Sequence, residues 1–448
     1  MTTFSAKRTP RFASPAAWRE LLGPAPAVPP IEGDHTADFV IVGGGFAGLS
    51  AARRLKQLQP AARVMILDAL AIAEGTAGRN SGFMIDLPHD LASDDYAGPG
   101  TQSDQLLTQL NRQAIGFALD AVAEYKIDPA FADPCGKVNG AASAAGHAHN
   151  ESYAAHLRTL GERSEFLDAQ GMKDLTGSEY YLSGLFTPGT LLLQPAGYIL
   201  GFAQGLRRAG VGIYENSPVL SFSKVGSDWR VKTPNAAIST PQVILANNGH
   251  LESFGIAKGR LVQLFLYASM TGEIGLDQLN KLGGQPRWGI TPSDPMGTTM
   301  RRIDTAQGGN RIVTRTCATV RTSMEASHSD VARAARVHRK KFTDRFPKLA
   351  DMPMEYEWAG HLCLSLNGTS VTGPIEDGVI SACVQNGLGT ARGTLTGIAA
   401  AEMACGQSSD ITVFFSAEEA PKKLPPQPFA QIGANAYLRW KEYKAGAE

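Results

Sequence analysis

The segment Ala37–Gly48, ADFVIVGGGFAG, limits what this chain can fold into more than any other stretch. Ala37–Val42 is a short apolar run of strand composition, Gly43–Gly48 is glycine-rich, and Leu49–Leu58 has helical spacing. Arg63–Leu67 reads as a second strand and ends at Asp68. Strand, glycine turn, helix and strand within roughly thirty residues make a βαβ unit. Gly43, Gly45 and Gly48 satisfy G-x-G-x-x-G: the first allows a tight turn, the second a close approach to a pyrophosphate, the third close packing of helix on strand. Phe46 and Ala47 stand among these glycines ahead of the helix, whose free N–H groups and positive dipole end favour a phosphate. Asp68 follows about twenty residues on, where a carboxylate accepts hydrogen bonds from a ribose. A dinucleotide is therefore expected here. The motif does not separate FAD from NAD, and an empty glycine-rich turn is the alternative.

At 448 residues the chain is long enough for two or three domains. Its 42 Lys+Arg balance 42 Asp+Glu, which argues against a nucleic-acid binder. No apolar run approaches about 18 residues, so no transmembrane helix is expected, and the N-terminus lacks the apolar core of a secretory signal. Five widely spread cysteines (135, 317, 363, 383 and 405) without a CxxC pair fit a reduced, cytoplasmic protein with no zinc site. His147 and His149 lack a third ligand, so no metal is expected.

Residues 1–36, with six prolines between Pro10 and Pro30, read as an extended arm with a helical turn near Trp18. Residues 104–125, 150–173, 327–346 and 393–405 read as helices, and the charges of 327–346 as a solvated face. Val219–Leu245 reads as an antiparallel meander with turns at 226–228 and 234–235. Val379–Val384 is a late strand, which implies a discontinuous fold.

Gly75–Gly82, GTAGRNSG, resembles the GASGRNGG segment of the glycine/D-amino-acid oxidase (DAO) type of FAD-dependent oxidoreductase, with the closest look to gamma-glutamylputrescine oxidases. VILANNG (243–249), Glu357–Gly360 and Val384–Gly389 are similar to further motifs of that family, in the same order. The resemblance implies an α/β fold: a discontinuous Rossmann-like FAD-binding domain (37–83, 191–261 and 356–410) and an α+β substrate domain with an antiparallel sheet (84–190 and 262–355). The arm 1–36 and a tail 411–448 flank them. It implies that Gly43, Gly45, Phe46, Ala47 and Gly48 hold the pyrophosphate, and Asp68 the ribose. Arg79, Asn80 and Ser81 would lie by the pyrophosphate and flavin edge, and Val219 by the adenine. Gly249 would close on the cofactor from the 243–249 strand, and Gly387, Leu388, Gly389 and Thr390 would lie over the flavin pyrimidine. The chain reads GLGTARG where relatives have SGHG, so Thr390 stands in place of their histidine.

The implied reaction takes a hydride from the carbon bearing an amine to flavin N5. The imine then hydrolyses, and oxygen reoxidises the flavin to give hydrogen peroxide. The partners are thus a small amine or amino acid and O2. A dehydrogenase feeding a quinone or carrier protein, and a flavin-binding protein without turnover, are the alternatives. Arg302 is a candidate clamp for a substrate carboxylate. Tyr267 and Trp288 are candidate pocket aromatics, His361 a flavin-facing histidine, and Lys258 an oxygen-activating lysine. Noncovalent FAD is expected, with Cys363 as a small buried hydrophobe; a covalent link at Cys363 is the alternative. The basic, aromatic segment Tyr437–Lys444 is expected to pack on its own domain, with a membrane surface as the alternative.

Overall fold

The computed structural model describes residues 2–24, 28–89, 93, 96–98 and 100–448. Pro26 of the proline-rich arm, and 90–92, 94, 95 and 99 of the expected substrate domain, lie outside them.

The βαβ unit forms where the pattern places it: strand Phe39–Val42, helix Phe46–Leu58, strand Val64–Leu67. These strands sit in a six-stranded sheet ordered Gly212–Tyr214, Val64–Leu67, Phe39–Val42, Gln242–Leu245, Val379–Cys383, Val371–Glu376. Every pairing is parallel except that of the last strand. Both faces are covered, so FVIV is buried at every position rather than alternating. Phe39 and Ile41 face a helical layer with Leu49, Leu206 and Leu395. Val40 and Val42 face Phe222, Trp229, Val231 and Ile238 of a small second sheet.

That second sheet is the meander, Ser221–Val225, Asp228–Lys232 and Ala236–Thr240, antiparallel as read. Its expected last strand is two strands. Pro241 has no N–H to continue a ladder, and Gln242–Leu245 crosses into the parallel sheet. The arm is also more ordered than expected. Thr3–Ser5 pairs with the meander at one edge, Gly33–Thr36 at the other, and Trp18 is fully buried.

A second large sheet of eight strands is ordered Met354–Ser365, Leu261–Thr271, Arg311–Val320, Thr299–Ile303, Trp288–Pro292, Lys137–Ala141, Ser183–Thr187, Glu165–Leu167. All neighbours are antiparallel except Trp288–Pro292 with Lys137–Ala141. Met354–Ser365 pairs with Leu261–Thr271 along its whole length, so residues 356–365, grouped by sequence with the nucleotide domain, belong to this sheet. The helix read at 150–173 is two helices, Ala144–Leu160 and Ala169–Thr176, because Gly161 ends the first with φ +78°. Helix His328–Arg345 covers the sheet. Its charged face is not wholly solvated: Arg345 is buried, donating to Tyr181 Oη (3.2 Å) and Ala447 O (3.0 Å).

The tail forms helices Asp410–Ser416 and Phe429–Ala445. Ala434 and Leu438 pack on Leu264, Ala318 and Val320, while Trp440 and Tyr443 stay exposed. Among the described residues no helix is long and apolar enough to cross a membrane.

Burial holds the imidazoles of His250 and His338 down to about 4 and that of His361 to about 3. Below pH 6.5 the unfolded chain takes up protons that these folded sites refuse, so stability is lost as pH falls from about 6.5 toward 4. The melting temperature is expected to drop steadily across that window. A flat profile there would contradict the buried neutral histidines.

Candidate active site

A single cleft gathers the glycine loop, the 387–390 loop and one face of the eight-stranded sheet. Gly43, with φ +107°, makes the turn out of the strand; a Cβ there would lie 2.7 Å from Ala246 O. Gly48 packs against that turn, its Cβ position 1.8 Å from Gly43 O, and does not itself reach the cleft. Gly45 differs. Its nearest neighbour to a Cβ is Ala77 Cβ at 3.4 Å, so its α-carbon stands open to the cleft. Phe46 and Ala47 line the wall and begin a helix with no side-chain cap and no acid in its first turn. Helix Ala391–Ala404 likewise starts uncapped, and Gly387, Leu388, Gly389 and Thr390 line the wall at its start. Two sets of unclaimed N–H groups thus open on one cavity, the arrangement a pyrophosphate and an electron-rich ring edge require. The two helices touch backbone to backbone: a Cβ on Gly397 would lie 2.1 Å from Ala47 O.

Asp68 lines the cleft just past its strand. Its Oδ2 accepts from Gly44 N–H (2.7 Å) and its Oδ1 from Leu70 N–H (2.9 Å). Burial pushes the carboxyl up, and these two N–H groups oppose that shift. The carboxylate therefore braces the glycine loop while it lines the cleft. Asn80, Ser81 and Val219 also line the wall; Asn80 is fixed by bonds to Ala77 O (2.7 Å) and Gly82 N–H (2.8 Å). The 387–390 loop is reached through a strained turn, with Val384 at φ +66° and Asn386 at φ +51°. Asn386 anchors it by accepting from Ser365 N–H (2.8 Å) and donating to Gly368 O (2.9 Å).

Several expected site residues lie elsewhere. Arg79 turns away from the cleft. It donates to Glu74 O (2.7 Å), Ser14 O (2.7 Å) and Ala359 O (3.3 Å), and its guanidinium sits 3.9 Å above Phe12. Gly249 lies behind His361, where a Cβ would meet Gln263 Oε1 at 2.5 Å. Arg302 is spent on Gly283 O (2.7 Å), and Tyr267 faces Phe265, Cys317 and Ala334 on the far side of the sheet. Trp288 is core, stacked on Phe346. Lys258 is exposed in a turn and does not reach the cleft. Cys363 is buried, and burial pushes its thiol well up; no cysteine lines the cleft among the described residues. His147 bonds Ser183 Oγ (2.7 Å), and no cluster able to hold a metal occurs among the described residues.

His361 does line the cleft. It is stacked on Phe265, and its Nε2 is bonded to Gln263 Oε1 (2.9 Å). An amide oxygen accepts only, so the proton sits on Nε2.

The residue that sequence reading missed is Arg315. It lies in strand Arg311–Val320, and its side chain faces the cleft beside His89, Tyr96, Thr291 and Thr299. Among the described residues its side-chain hydrogen bond is a long one, Nη1 to Thr299 Oγ1 at 3.4 Å. Burial lowers its pKa, yet an arginine stays charged. His89 stacks on Tyr96 with centroids 4.1 Å apart and is held neutral by burial and by the nearby Lys137 and Arg315. Tyr96 donates to Pro292 O (2.8 Å). The signal in the sequence was an arginine in the middle of an apolar strand.

Comparison with known proteins identifies the family and the fold. The family described as FAD dependent oxidoreductase, DAO, matches residues 38–403. A probable oxidoreductase OrdL of Haemophilus influenzae is 25% identical over 404 residues, covering 86% of this chain and 87% of its own. Gamma-glutamylputrescine oxidoreductase of Escherichia coli is 25% identical over 222 residues, 48% of this chain and 50% of its own. Among solved structures, glycine oxidase from Geobacillus kaustophilus superposes with a TM-score of 0.69 at 16% identity, over 84% of this chain and 96% of its own. An L-amino acid deaminase from Proteus myxofaciens gives 0.66 at 14% identity, over 93% and 99%. With its dinucleotide cradle set in a family match that spans most of its length, the chain belongs to the DAO family of FAD-dependent oxidoreductases, and FAD is its cofactor.

Proposed function

We propose that the chain oxidises a small amine that also carries a carboxylate, an amino acid or a gamma-glutamyl-type primary amine, with O2 as the acceptor. Arg315 carries this reading: a half-buried guanidinium faces the cleft with its fork largely unspent, matched to a carboxylate. The one carboxylate on the wall among the described residues is Asp68, already engaged with Gly44 and Leu70. Bound FAD supplies the two-electron acceptor for the hydride of the amine-bearing carbon. Arg315 fixes the substrate by its carboxylate and so orients that carbon. A neutral amine is needed for hydride loss. The buried, cationic surroundings, with His89 and His361 uncharged, disfavour the ammonium form, so its proton leaves first. The substrate thus loses a hydride and a proton, and water converts the imine to a carbonyl and ammonia. A relative named for gamma-glutamylputrescine and a fold shared with glycine oxidase support the substrate class.

The test is anaerobic reduction of the bound flavin by amines with and without a carboxylate, followed by admission of air. Bleaching by the carboxylate-bearing set alone, then peroxide release, is the expected result. Bleaching without oxygen uptake would instead favour a dehydrogenase, a reading helped by the absence of a lysine from the described cleft wall. If no amine bleaches the flavin, the amine-oxidising reading fails.

Because no thiol lines the cleft among the described residues, acid precipitation is expected to release the yellow colour into the supernatant. Colour kept in the pellet would restore Cys363 as an anchor.

A further inference from the structure

We propose that residues 6–14 of the N-terminal arm form a third wall of the FAD cleft, clasped shut by Arg79, and that this clasp sets how long the cofactor is retained. Arg8, Thr9, Pro10 and Phe12 line the same cavity as Gly45 and Asp68, although the arm precedes the region matched to the family. The span is tied at both ends. Upstream, Thr3–Ser5 is zipped to the meander, and the N–H groups of Ala6 and Lys7 donate to Leu220 O (2.8 Å) and Ser253 O (2.9 Å). Downstream, Arg79 Nη2 donates to Ser14 O (2.7 Å), and the buried Trp18 accepts at its carbonyl from Gln194 Nε2 (2.9 Å). Between Arg8 and Ser14, among the described residues, no backbone N–H donates to another backbone group. What holds this middle stretch down is Arg79, seated 3.9 Å over the Phe12 ring, together with the bond from Arg8 to Thr322 O.

The charge of the span fits its place. Residues 2–19 contain Lys7, Arg8, Arg11 and Arg19 and no acid, and Arg8 reaches the cavity that the pyrophosphate enters. Lifting residues 8–14 breaks the Arg79–Phe12 stack and the Ser14 bond but leaves the Thr3–Ser5 pairing intact. It is a local opening of low cost within an otherwise fixed structure. Cofactor exit then waits on that opening. The arrangement also gives Arg79 a task other than touching phosphate, and the two tasks make different predictions.

The experiment follows loss of FAD from the holoprotein into excess apoflavoprotein scavenger, read by flavin fluorescence, for wild type, Phe12→Ala, Arg79→Met and the double variant. The clasp predicts that Phe12→Ala and Arg79→Met each speed release tenfold or more, and that the double variant is little faster than Arg79→Met. Faster release in Arg79→Met with Phe12→Ala unchanged would mean direct phosphate contact and would overturn the proposal, as would release unchanged in both. Should Arg79→Met fail to fold, trypsin cleavage after Arg11 replaces it. FAD must then slow that cleavage in the wild type and protect Phe12→Ala less; equal cleavage with and without FAD overturns the proposal. None of these readouts depends on which amine is oxidised.

Discussion

Arg315→Met is expected to lower kcat/KM for a carboxylate-bearing amine by about 10²–10³, with bound flavin content unchanged. Hydrogen bonds to charged groups contribute about 1.5–3 kcal/mol each, and a guanidinium offers a carboxylate two. Loss of both amounts to about 3–6 kcal/mol, and the lower part of that range, at about 1.4 kcal/mol per tenfold, gives the stated loss. The control is an amine of the same length without the carboxylate. It should lose little, because Arg315 makes no other strong bond among the described residues. An equal loss for both amines would show that Arg315 holds the cleft in shape rather than the substrate. A second consequence concerns His89. Burial is the largest influence holding it neutral, with Lys137 and Arg315 adding to it. Removing one cation raises its pKa, so any acid limb in the pH profile of the variant should move to higher pH than in the wild type.

The second large effect is at the glycine loop, where two neighbouring substitutions should fail for opposite reasons. Gly48→Ala places a methyl 1.8 Å from the carbonyl oxygen of Gly43, a backbone atom that cannot swing aside. Overpacking typically costs about 1–3 kcal/mol, and a clash of backbone on backbone lies at or beyond the top of that range. The expected result is a melting temperature lowered by several degrees and a colourless protein. Gly45→Ala meets no protein atom closer than 3.4 Å, and Gly45 has an extended backbone with φ −90° that alanine adopts freely. Its methyl enters only the space open to the pyrophosphate. The apoprotein should melt like wild type, yet bind FAD at least about tenfold more weakly, a cost of about 1.4 kcal/mol. If Gly45→Ala instead unfolds the apoprotein, its α-carbon packs against protein rather than cofactor.

What the sequence allowed one to read was local. Strand, turn, helix and Asp68 follow one another along the chain, so their chemistry and spacing suffice. The uncapped start of the 391–404 helix was likewise marked by its glycines. The misreadings were non-local. Arg302 was named because an arginine in a segment expected to join the second sheet can clamp a carboxylate, and nothing local says which face its side chain takes. Counting faces in twos along Arg311–Val320 would fail as well. Cys317, at φ +66°, is bulged out of register: Tyr267 pairs with Thr316, but Leu266 pairs with Ala318. Arg315 therefore lies on the opposite face from Thr319, although both are odd-numbered. Arg79 was misplaced because its partners, Phe12 and Ser14, are more than sixty residues upstream in an arm read as merely extended. The boundary at 356 failed because a strand of the second sheet runs on from Met354 to Ser365 without a break in composition.

The order of strands in the parallel sheet also bears on how the protein is made. Phe39–Val42 emerges early, but its neighbour Gln242–Leu245 and that strand's partner Val379–Cys383 come hundreds of residues later. The second helix of the cradle, Ala391–Ala404, comes later still. At about 5–20 residues per second a ribosome needs on the order of half a minute to go from one end of this sheet to the other. Throughout that interval Phe39–Val42 is paired on its Val64–Leu67 side alone, and the glycine loop lacks the second helix of the cradle. Capture of FAD therefore waits until the chain has been made at least as far as that helix. Because a ligand that binds only the native state stabilises it by mass action, flavin supply in the producing cell should govern the yield of intact protein as well as its activity.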